Sequence, residues 1–170
     1  MGKKVTHIIT GLGKGGAETM LYQVIKFRTV QSLEYKVISL GGSSYYENIL
    51  RKLGIPVEIY PIKRTPFSSM HHIIESVKGS DVLCCWMMHA NLVGFIAAKF
   101  ADVRHIIWCV RHSNTGGNFL KTRTVRIDSI CARLSSKVNT ITYNGNRSRN
   151  EYEKLGFCKE KGIVLDNGCD

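Results

Sequence analysis

The feature that most constrains the fold is a regular alternation of short apolar runs with longer stretches of helical periodicity. The apolar runs do not alternate with polar residues, which is typical of strands buried on both faces of a parallel sheet. We therefore predict a Rossmann-like, doubly wound α/β domain with about seven mainly parallel strands and helices on both faces. The predicted strands are residues 4–10, 35–40, 57–62, 81–87, 105–110, 138–143 and 162–166. The predicted helices are residues 17–27, 45–54, 67–79, 91–101, 120–136 and 147–156.

The length of 170 residues suits one domain with a sizeable core. No apolar run is long enough to cross a bilayer, and the apolar part of "MGKKVTHII" is too short for a signal peptide. The six cysteines form no C-x-x-C pair and show no zinc-like spacing, so we interpret them as free thiols. These features predict a cytoplasmic protein without a metal site.

The charge of the chain is strongly positive, with 24 Lys and Arg against 13 Asp and Glu, a formal net charge of +11. Such an excess favours an anionic partner, which could be a nucleic acid, a membrane surface or a phosphorylated substrate. A merely solubilising surface explains the charge equally well.

The loop after the first predicted strand reads "TGLGKGGAETM" and carries Gly11, Gly13 and Gly16 in a G-x-G-x-x-G spacing. A P-loop would need Lys and then Ser or Thr after its last glycine, whereas Ala and Glu follow Gly16. A dinucleotide site would need an acid at the end of the second strand, which instead ends "ISLGGSS". A phosphate-binding loop and a tight turn without a ligand both remain open.

Polar side chains follow two later strands at the points where those strands end. His89 and Asn91 come after the fourth strand, and Arg111, His112 and Ser113 come after the fifth. Because the carboxyl ends of parallel strands share one edge of a sheet, we expect these side chains beside the glycine loop. Arginine suits phosphate or carboxylate groups, and histidine can bind a hydroxyl or move a proton near neutral pH. Taken singly, each histidine could equally be a helix cap or a packed edge residue.

The remaining histidines are expected to be structural. His7 lies within the first strand, His71 and His72 lie within a helix, and His105 begins a strand away from the proposed edge.

Four segments together resemble the amino-terminal half of a family 4 glycosyltransferase of the GT-B fold. They are "GLGKGGAETMLYQVI", "WMMHANLVG", "WCVRHS" and "GIVLDNGCD". Their order and spacing match that family over essentially the whole chain, and the combination is specific even though each motif alone is weak.

The resemblance implies that residues 1–170 are the acceptor-side domain of a two-domain enzyme, with the nucleotide-sugar-binding carboxy-terminal domain absent from this chain. Such enzymes move a sugar, usually a hexose with retention, from a nucleotide-sugar donor to a glycan or lipid-linked acceptor. The resemblance further implies a role in surface polysaccharide or lipopolysaccharide synthesis, no metal or other cofactor, and an inactive isolated domain.

The resemblance also assigns roles to individual residues. Gly15 and Gly16 belong to the loop that closes over the donor, and His112 matches the family's active-site histidine, which contacts the transferring sugar. Glu18 is expected to cap amides or buttress the loop rather than act as a base. The acceptor-side or cleft candidates are His89, Asn91, Arg111 and Ser113.

The predicted helix 120–136 is basic and includes Lys121, Arg123 and Arg126. A solvated helix face is one explanation. The other is peripheral contact with anionic lipid head groups at the inner face of the cytoplasmic membrane, since many enzymes of the family extend lipid-linked glycans.

Two alternatives to a transferase remain open. One is a non-catalytic module that binds a nucleotide or a nucleic acid, and the other is a nucleotide-sugar epimerase of similar fold. The chain has no RNA-recognition strand motif and no helix-turn-helix signature, so we expect no nucleic-acid partner.

Overall fold

A computed structural model describes residues 2–30, 32–111 and 122–166, apart from the side chains of 122–125. The strands are β1 (Lys3–Ile9), β2 (Leu33–Ser39), β3 (Val57–Ile59), β4 (Val82–Trp86), β5 (His105–Val110), β6 (Thr140–Tyr143) and β7 (Gly162–Val164). The helices are α1 (Gly16–Lys26), α2 (Tyr45–Lys52), α3 (Pro66–Val77), α4 (Met88–Phe100), α5 (Thr122–Leu134) and α6 (Asn146–Lys154), with short 3₁₀ turns at Ser135–Lys137 and Lys159–Lys161.

The strands form one parallel sheet in the order β3-β2-β1-β4-β5-β6-β7, which confirms the predicted doubly wound fold. The chain starts at β1, builds outward to β3, then returns to β4 and builds the other way. Right-handed crossovers then place helices on opposite faces of the two halves of the sheet. The reversal between β1 and β4 is the point where such sheets bind ligands.

Two apolar cores lie on the two faces of the sheet. On one face, α1 and α2 contribute Leu21 and Leu50, both fully buried. On the other face, α3, α4 and α6 contribute Ile73, Ala97 and Tyr152 to a larger core, which α5 also joins. Burial of these side chains supplies the main stabilising free energy of the domain.

Most element boundaries differ from the prediction by one or two residues, and two elements differ by three residues at one end. Strand β3 ends at Ile59 instead of residue 62, although the N–H groups of Tyr60 and Ile62 still donate to the carbonyls of Ser39 and Leu40. Helix α4 begins at Met88 instead of residue 91, so that His89 and Asn91 lie in its first turn. None of the helices in the described ranges is long and apolar enough to cross a membrane.

Helix α4 lies unusually close to the sheet at Gly94. A Cβ atom at position 94 would stand 2.3 Å from the Cys85 Sγ and 3.5 Å from the Cδ1 of Ile8. Cys85 and Ile8 are fully buried, so neither side chain can move into solvent. Glycine at this position therefore sets the spacing between α4 and the sheet.

We expect Gly94→Ala to lower the free energy of unfolding by about 1–3 kcal/mol because of overpacking, although alanine favours a helix more than glycine does. Urea denaturation measures the change. Gly42→Ala is the control, because a Cβ at position 42 meets nothing within 4 Å. An unchanged or raised stability of Gly94→Ala would show that α4 does not approach the sheet as closely as described.

Candidate functional site

The candidate site lies at the carboxyl edge of the sheet, where β1, β4 and β5 end side by side. The loop of residues 10–15 follows β1, the start of α4 follows β4, and Arg111 follows β5. The structure therefore brings the glycine loop, His89, Asn91 and Arg111 to one edge, as the sequence predicted.

Contacts with the neighbouring helix region hold the glycine loop in place. Leu12 is buried, and its carbonyl oxygen accepts a 2.8 Å hydrogen bond from the Tyr46 N–H. Thr19 Oγ1 lies 2.8 Å from the Tyr46 hydroxyl and donates to the Gly15 carbonyl at 2.9 Å. These bonds join both ends of the loop to α1 and α2.

Gly15 is the N-cap residue of α1, and no side chain in the described part of the chain forms a capping hydrogen bond at this helix end. The first-turn amides, together with the helix dipole, favour a negative group at this position. Gly16 is exposed at the start of the helix. The two predicted donor-loop glycines thus lie where an anion would meet backbone N–H groups.

Glu18 supplies a negative group of its own at this position. A Cβ at residue 15 would stand 2.4 Å from the Glu18 Oε2, so the carboxylate lies directly over Gly15. Its position in the first turn of α1 suits the helix dipole and agrees with the predicted buttressing role. An incoming anion would compete with this carboxylate for the same surface.

Met87, the residue between β4 and α4, has a backbone conformation that L-residues rarely adopt. Its φ of 76° and ψ of 157° lie in a region used almost only by glycine, at a cost of about 1–3 kcal/mol. The Met87 N–H donates to the Cys109 carbonyl at 3.1 Å, and its carbonyl accepts from the Asn91 N–H at 2.9 Å. Strain of this kind is concentrated at functional sites, and the sequence analysis missed it.

The first turn of α4 presents His89 to solvent and encloses Asn91. Although His89 is exposed at the surface, partial desolvation of its ring and, second, the positive charge of Lys63 lower its pKa below the usual value. Asn91 is fully buried, and its Oδ1 has no hydrogen-bond partner among the residues that the structure describes. Contact between Asn91 and an acceptor would require the start of α4 to open, whereas His89 is already accessible.

Arg111 is half-buried at the end of β5. Its guanidinium carbon lies 5.3 Å from the centre of the Trp86 ring, and its Nη1 donates to the Leu165 carbonyl at 3.2 Å. A cation over an indole ring is stabilised by the ring's quadrupole. The Trp86 ring therefore stabilises the positive charge of Arg111, the residue that follows β5.

Buried beneath Trp86 is His7, whose Nδ1 accepts a 3.1 Å hydrogen bond from the indole N–H. The His7 ring also stacks on Tyr35 at 5.7 Å. Burial lowers the pKa of His7 to about 4, so the ring is neutral. His7 is structural, as predicted, and it orients the indole on which Arg111 rests.

Several predicted residues lie outside what the structure describes. They are the catalytic candidate His112, the cleft candidate Ser113, and Lys121. Arg123 lies within α5, but its side chain is likewise outside the described part. Arg126 is exposed on the same helix.

A cavity of about 500 Å³ lies at the opposite, amino-terminal edge of the sheet. Lys4, Arg28 and Lys36 contribute to its lining. It contains none of the residues that the sequence analysis singled out, and the chemistry expected of the fold belongs to the carboxyl edge.

Comparison with known proteins gives structural matches only. No protein-family model matches the chain, and no curated protein matches it in sequence. Anabaena HepE in complex with UDP-glucose superposes with a TM-score of 0.80 at 18% identity, covering 98% of this chain and 44% of HepE. A glycosyltransferase from Rickettsia africae gives 0.73 at 16% identity, covering 99% and 44% of the two chains. A UDP-N-acetylglucosamine 2-epimerase gives 0.66 at 12% identity, covering 98% and 49%.

These identities establish a shared fold and no more. The chain spans less than half the length of each of these three structures. A glycosyltransferase and a nucleotide-sugar epimerase are thus among the proteins whose fold this chain shares.

The buried His7 should make the stability of the domain depend on pH. The unfolded chain binds a proton at this residue below pH 6.5, whereas the folded chain does so only near pH 4. Stability therefore falls as the pH drops through this window, and His7 accounts for a loss of about 3 kcal/mol between its two pKa values. Urea denaturation at several pH values measures the slope.

His7→Phe should flatten that slope, because it removes the buried titrating group. His105→Gln is the control, since His105 is exposed. Equal slopes for wild type and His7→Phe would contradict the burial of a neutral His7.

Proposed function

We propose that this chain is the acceptor-side domain of a family 4 glycosyltransferase of the GT-B fold, which moves a sugar from a nucleotide-sugar donor to a glycan or lipid-linked acceptor. One observation carries the proposal: the start of α1, with Gly15 and Gly16, and Arg111 lie at the same carboxyl edge of the sheet, on either side of the end of β4. The shared fold with HepE and the Rickettsia enzyme supports it.

The chemistry of transfer matches the charges at this edge. Breaking the bond between the sugar C1 and the diphosphate leaves negative charge on the phosphate oxygens, and backbone amides and a guanidinium stabilise that charge. The acceptor hydroxyl forms the new bond to C1, and its proton passes to a phosphate oxygen of the departing nucleoside diphosphate. In this proposal the amides of α1 and Arg111 face the diphosphate, and His89, Asn91 and Ser113 are the candidates for the acceptor side of the cleft.

His112 takes the catalytic role in this proposal, as the resemblance implies, by contacting the transferring sugar. It directly follows Arg111, whose place at the end of β5 is fixed by Trp86 and Leu165. The donor sugar in this reaction is a hexose, and transfer retains the configuration at its anomeric carbon.

We expect a second, nucleotide-sugar-binding domain in the complete enzyme, and weak donor binding by residues 1–170 alone. An immunoblot of the native polypeptide measures its apparent mass. A band at about twice the mass of this chain is the expected result for two domains of this size. We also expect transfer without a metal or other cofactor, so activity should survive a chelator.

The pathway and the location follow from the resemblance. We expect a cytoplasmic enzyme of surface polysaccharide or lipopolysaccharide synthesis at the inner membrane face. Lys121, Arg123 and Arg126 would attract anionic head groups there. Of these three, the structure describes the side chain of Arg126 alone, and it is exposed.

In the complete enzyme, Arg111→Gln and His112→Ala should each lower kcat/KM for transfer by about 10²–10³, because each removes a group that stabilises charge in the transition state. Transfer from a panel of nucleotide sugars is measured by product chromatography. Arg104→Gln and His105→Ala are the controls, because both residues are exposed at the amino end of the same strand.

Circular dichroism shows whether each variant folds. Near-normal transfer by a folded His112→Ala enzyme would refute its catalytic assignment. Loss of transfer in the two control variants would show that β5 as a whole, and not its carboxyl end, is sensitive to substitution.

An epimerase is the second candidate, favoured by the fold shared with UDP-N-acetylglucosamine 2-epimerase. It would convert a nucleotide sugar with no acceptor present. Incubation of the complete protein with UDP-N-acetylglucosamine alone, followed by separation of the epimers, distinguishes it from a transferase. A non-catalytic module would do neither, and a steep salt dependence of oligonucleotide binding would identify a nucleic-acid partner instead.

A further inference from the structure

The cavity at the amino-terminal edge of the sheet takes no part in the candidate site, which lies at the opposite edge. Its volume of about 500 Å³ is within the range of pockets that hold small organic molecules. It is lined by the first residues of β1 and β2, the end of α3 and the segment that precedes β3. Its lining therefore combines charged, polar and apolar side chains.

Arg28 is the group in this lining that is best suited to bind an anion. It is half-buried, and its Nη1 donates to the Ile25 carbonyl at 2.9 Å. Its guanidinium carbon lies 6.0 Å from the centre of the Tyr35 ring. These contacts hold the guanidinium in place and leave further N–H donors for a ligand. A planar guanidinium can donate to both oxygens of a carboxylate or a phosphate.

Two lysines of the lining are already neutralised by acids. The Lys36 Nζ lies 3.5 Å from the Glu58 Oε1, and the Lys78 Nζ lies 2.6 Å from the Glu75 Oε1. Lys36 also donates to the carbonyl and the hydroxyl of Ser76. These two lysines are therefore assigned to holding α3 and its end in place, and not to the ligand.

The remaining charges leave a positive surplus in the cavity. Lys4 and Glu34 are paired across β1 and β2, and both are exposed. Glu34 is the only acid among the described residues that line the cavity. Neither Lys4 nor Arg28 forms an ion pair with another residue in the described ranges. Two cations thus stand against one carboxylate, which favours an anionic ligand.

The cavity also has an apolar wall with a fixed aromatic ring. The Tyr35 ring stacks on the buried His7 ring, with 5.7 Å between the centroids and 6° between the planes. Val5 and Ile55, which are buried, extend the apolar part of the lining. A ligand with a ring or an apolar body would remove this surface from water.

We propose that this cavity binds a small organic anion in which a carboxylate or a phosphate is joined to an apolar or ring-shaped body. Arg28 donates to the anionic group, Lys4 adds positive charge, and the body packs against Tyr35 and Ile55. The site is independent of the proposed transferase function, because its lining residues lie at the other edge of the sheet.

A ligand-detected NMR titration of the complete protein tests the proposal, with phenyl phosphate and benzoate as probes. The two probes distinguish a phosphate site from a carboxylate site, and we expect at least one of them to bind. Phenol has the ring without the charge, and should bind about ten-fold more weakly. Inorganic phosphate and acetate have the charge without the ring, and should also bind about ten-fold more weakly than the matching probe.

Variants locate the bound probe. Arg28→Gln should weaken binding about ten-fold, because it removes the charged fork, and Lys4→Gln should weaken it roughly three-fold. Arg104→Gln and Lys3→Gln are the matched controls, since both residues are exposed cations near the same edge that do not line the cavity. Urea midpoints show whether the variants fold. Arg28→Lys keeps the charge without the fork, and tests the same point if Arg28→Gln does not fold.

Three results would overturn the proposal: no binding of either probe, equal affinity for each probe and the matching ion without a ring, or equal losses in Arg28→Gln and Arg104→Gln. A loss of binding in Arg111→Gln but not in Arg28→Gln would also overturn it, by placing the anion at the carboxyl edge. Binding is measured without donor or acceptor, so the result does not depend on sugar transfer.

Discussion

The pairing of β1 with both β2 and β4 is the constraint on which the rest of the structure depends. β1 bonds to β2 along its whole length and to β4 from Val5 to Ile9, and all five of those residues are buried. This double pairing places the loop before α1 and the strained start of α4 next to each other at one edge. If β1 did not pair with β4, the first turns of α1 and α4 would not lie side by side.

The candidate site at that edge contains both groups that attract an anion and a carboxylate that repels one. Uncapped amides at Gly15 and the Arg111 guanidinium favour a negative ligand, while the Glu18 carboxylate already occupies part of the same surface. An anion that binds must displace this carboxylate or share the amides with it. The arrangement therefore favours a strongly charged group such as a diphosphate over a weakly charged one.

The sequence predicted most of the fold because periodicity is a local property. Seven apolar runs separated by helical stretches leave few alternatives to a doubly wound sheet. They also show which residues come directly after the end of each strand. It did not predict that α4 starts at Met88, because no capping residue marks that helix end and the φ of Met87 has no local signal. The hydrogen bond between Trp86 and His7 joins residues 79 positions apart. Such a contact depends on strand order and register, which the local pattern does not specify.

The absence of a side chain at Gly94 also determines which parts of the site can adapt to a ligand. Helix α4 packs so tightly against Cys85 that it can shift only together with the sheet. The α4 side of the site, which carries His89, is therefore expected to keep its position when a ligand binds. A ligand at this edge must fit the existing surface of α4, because that surface has no room to move toward the sheet.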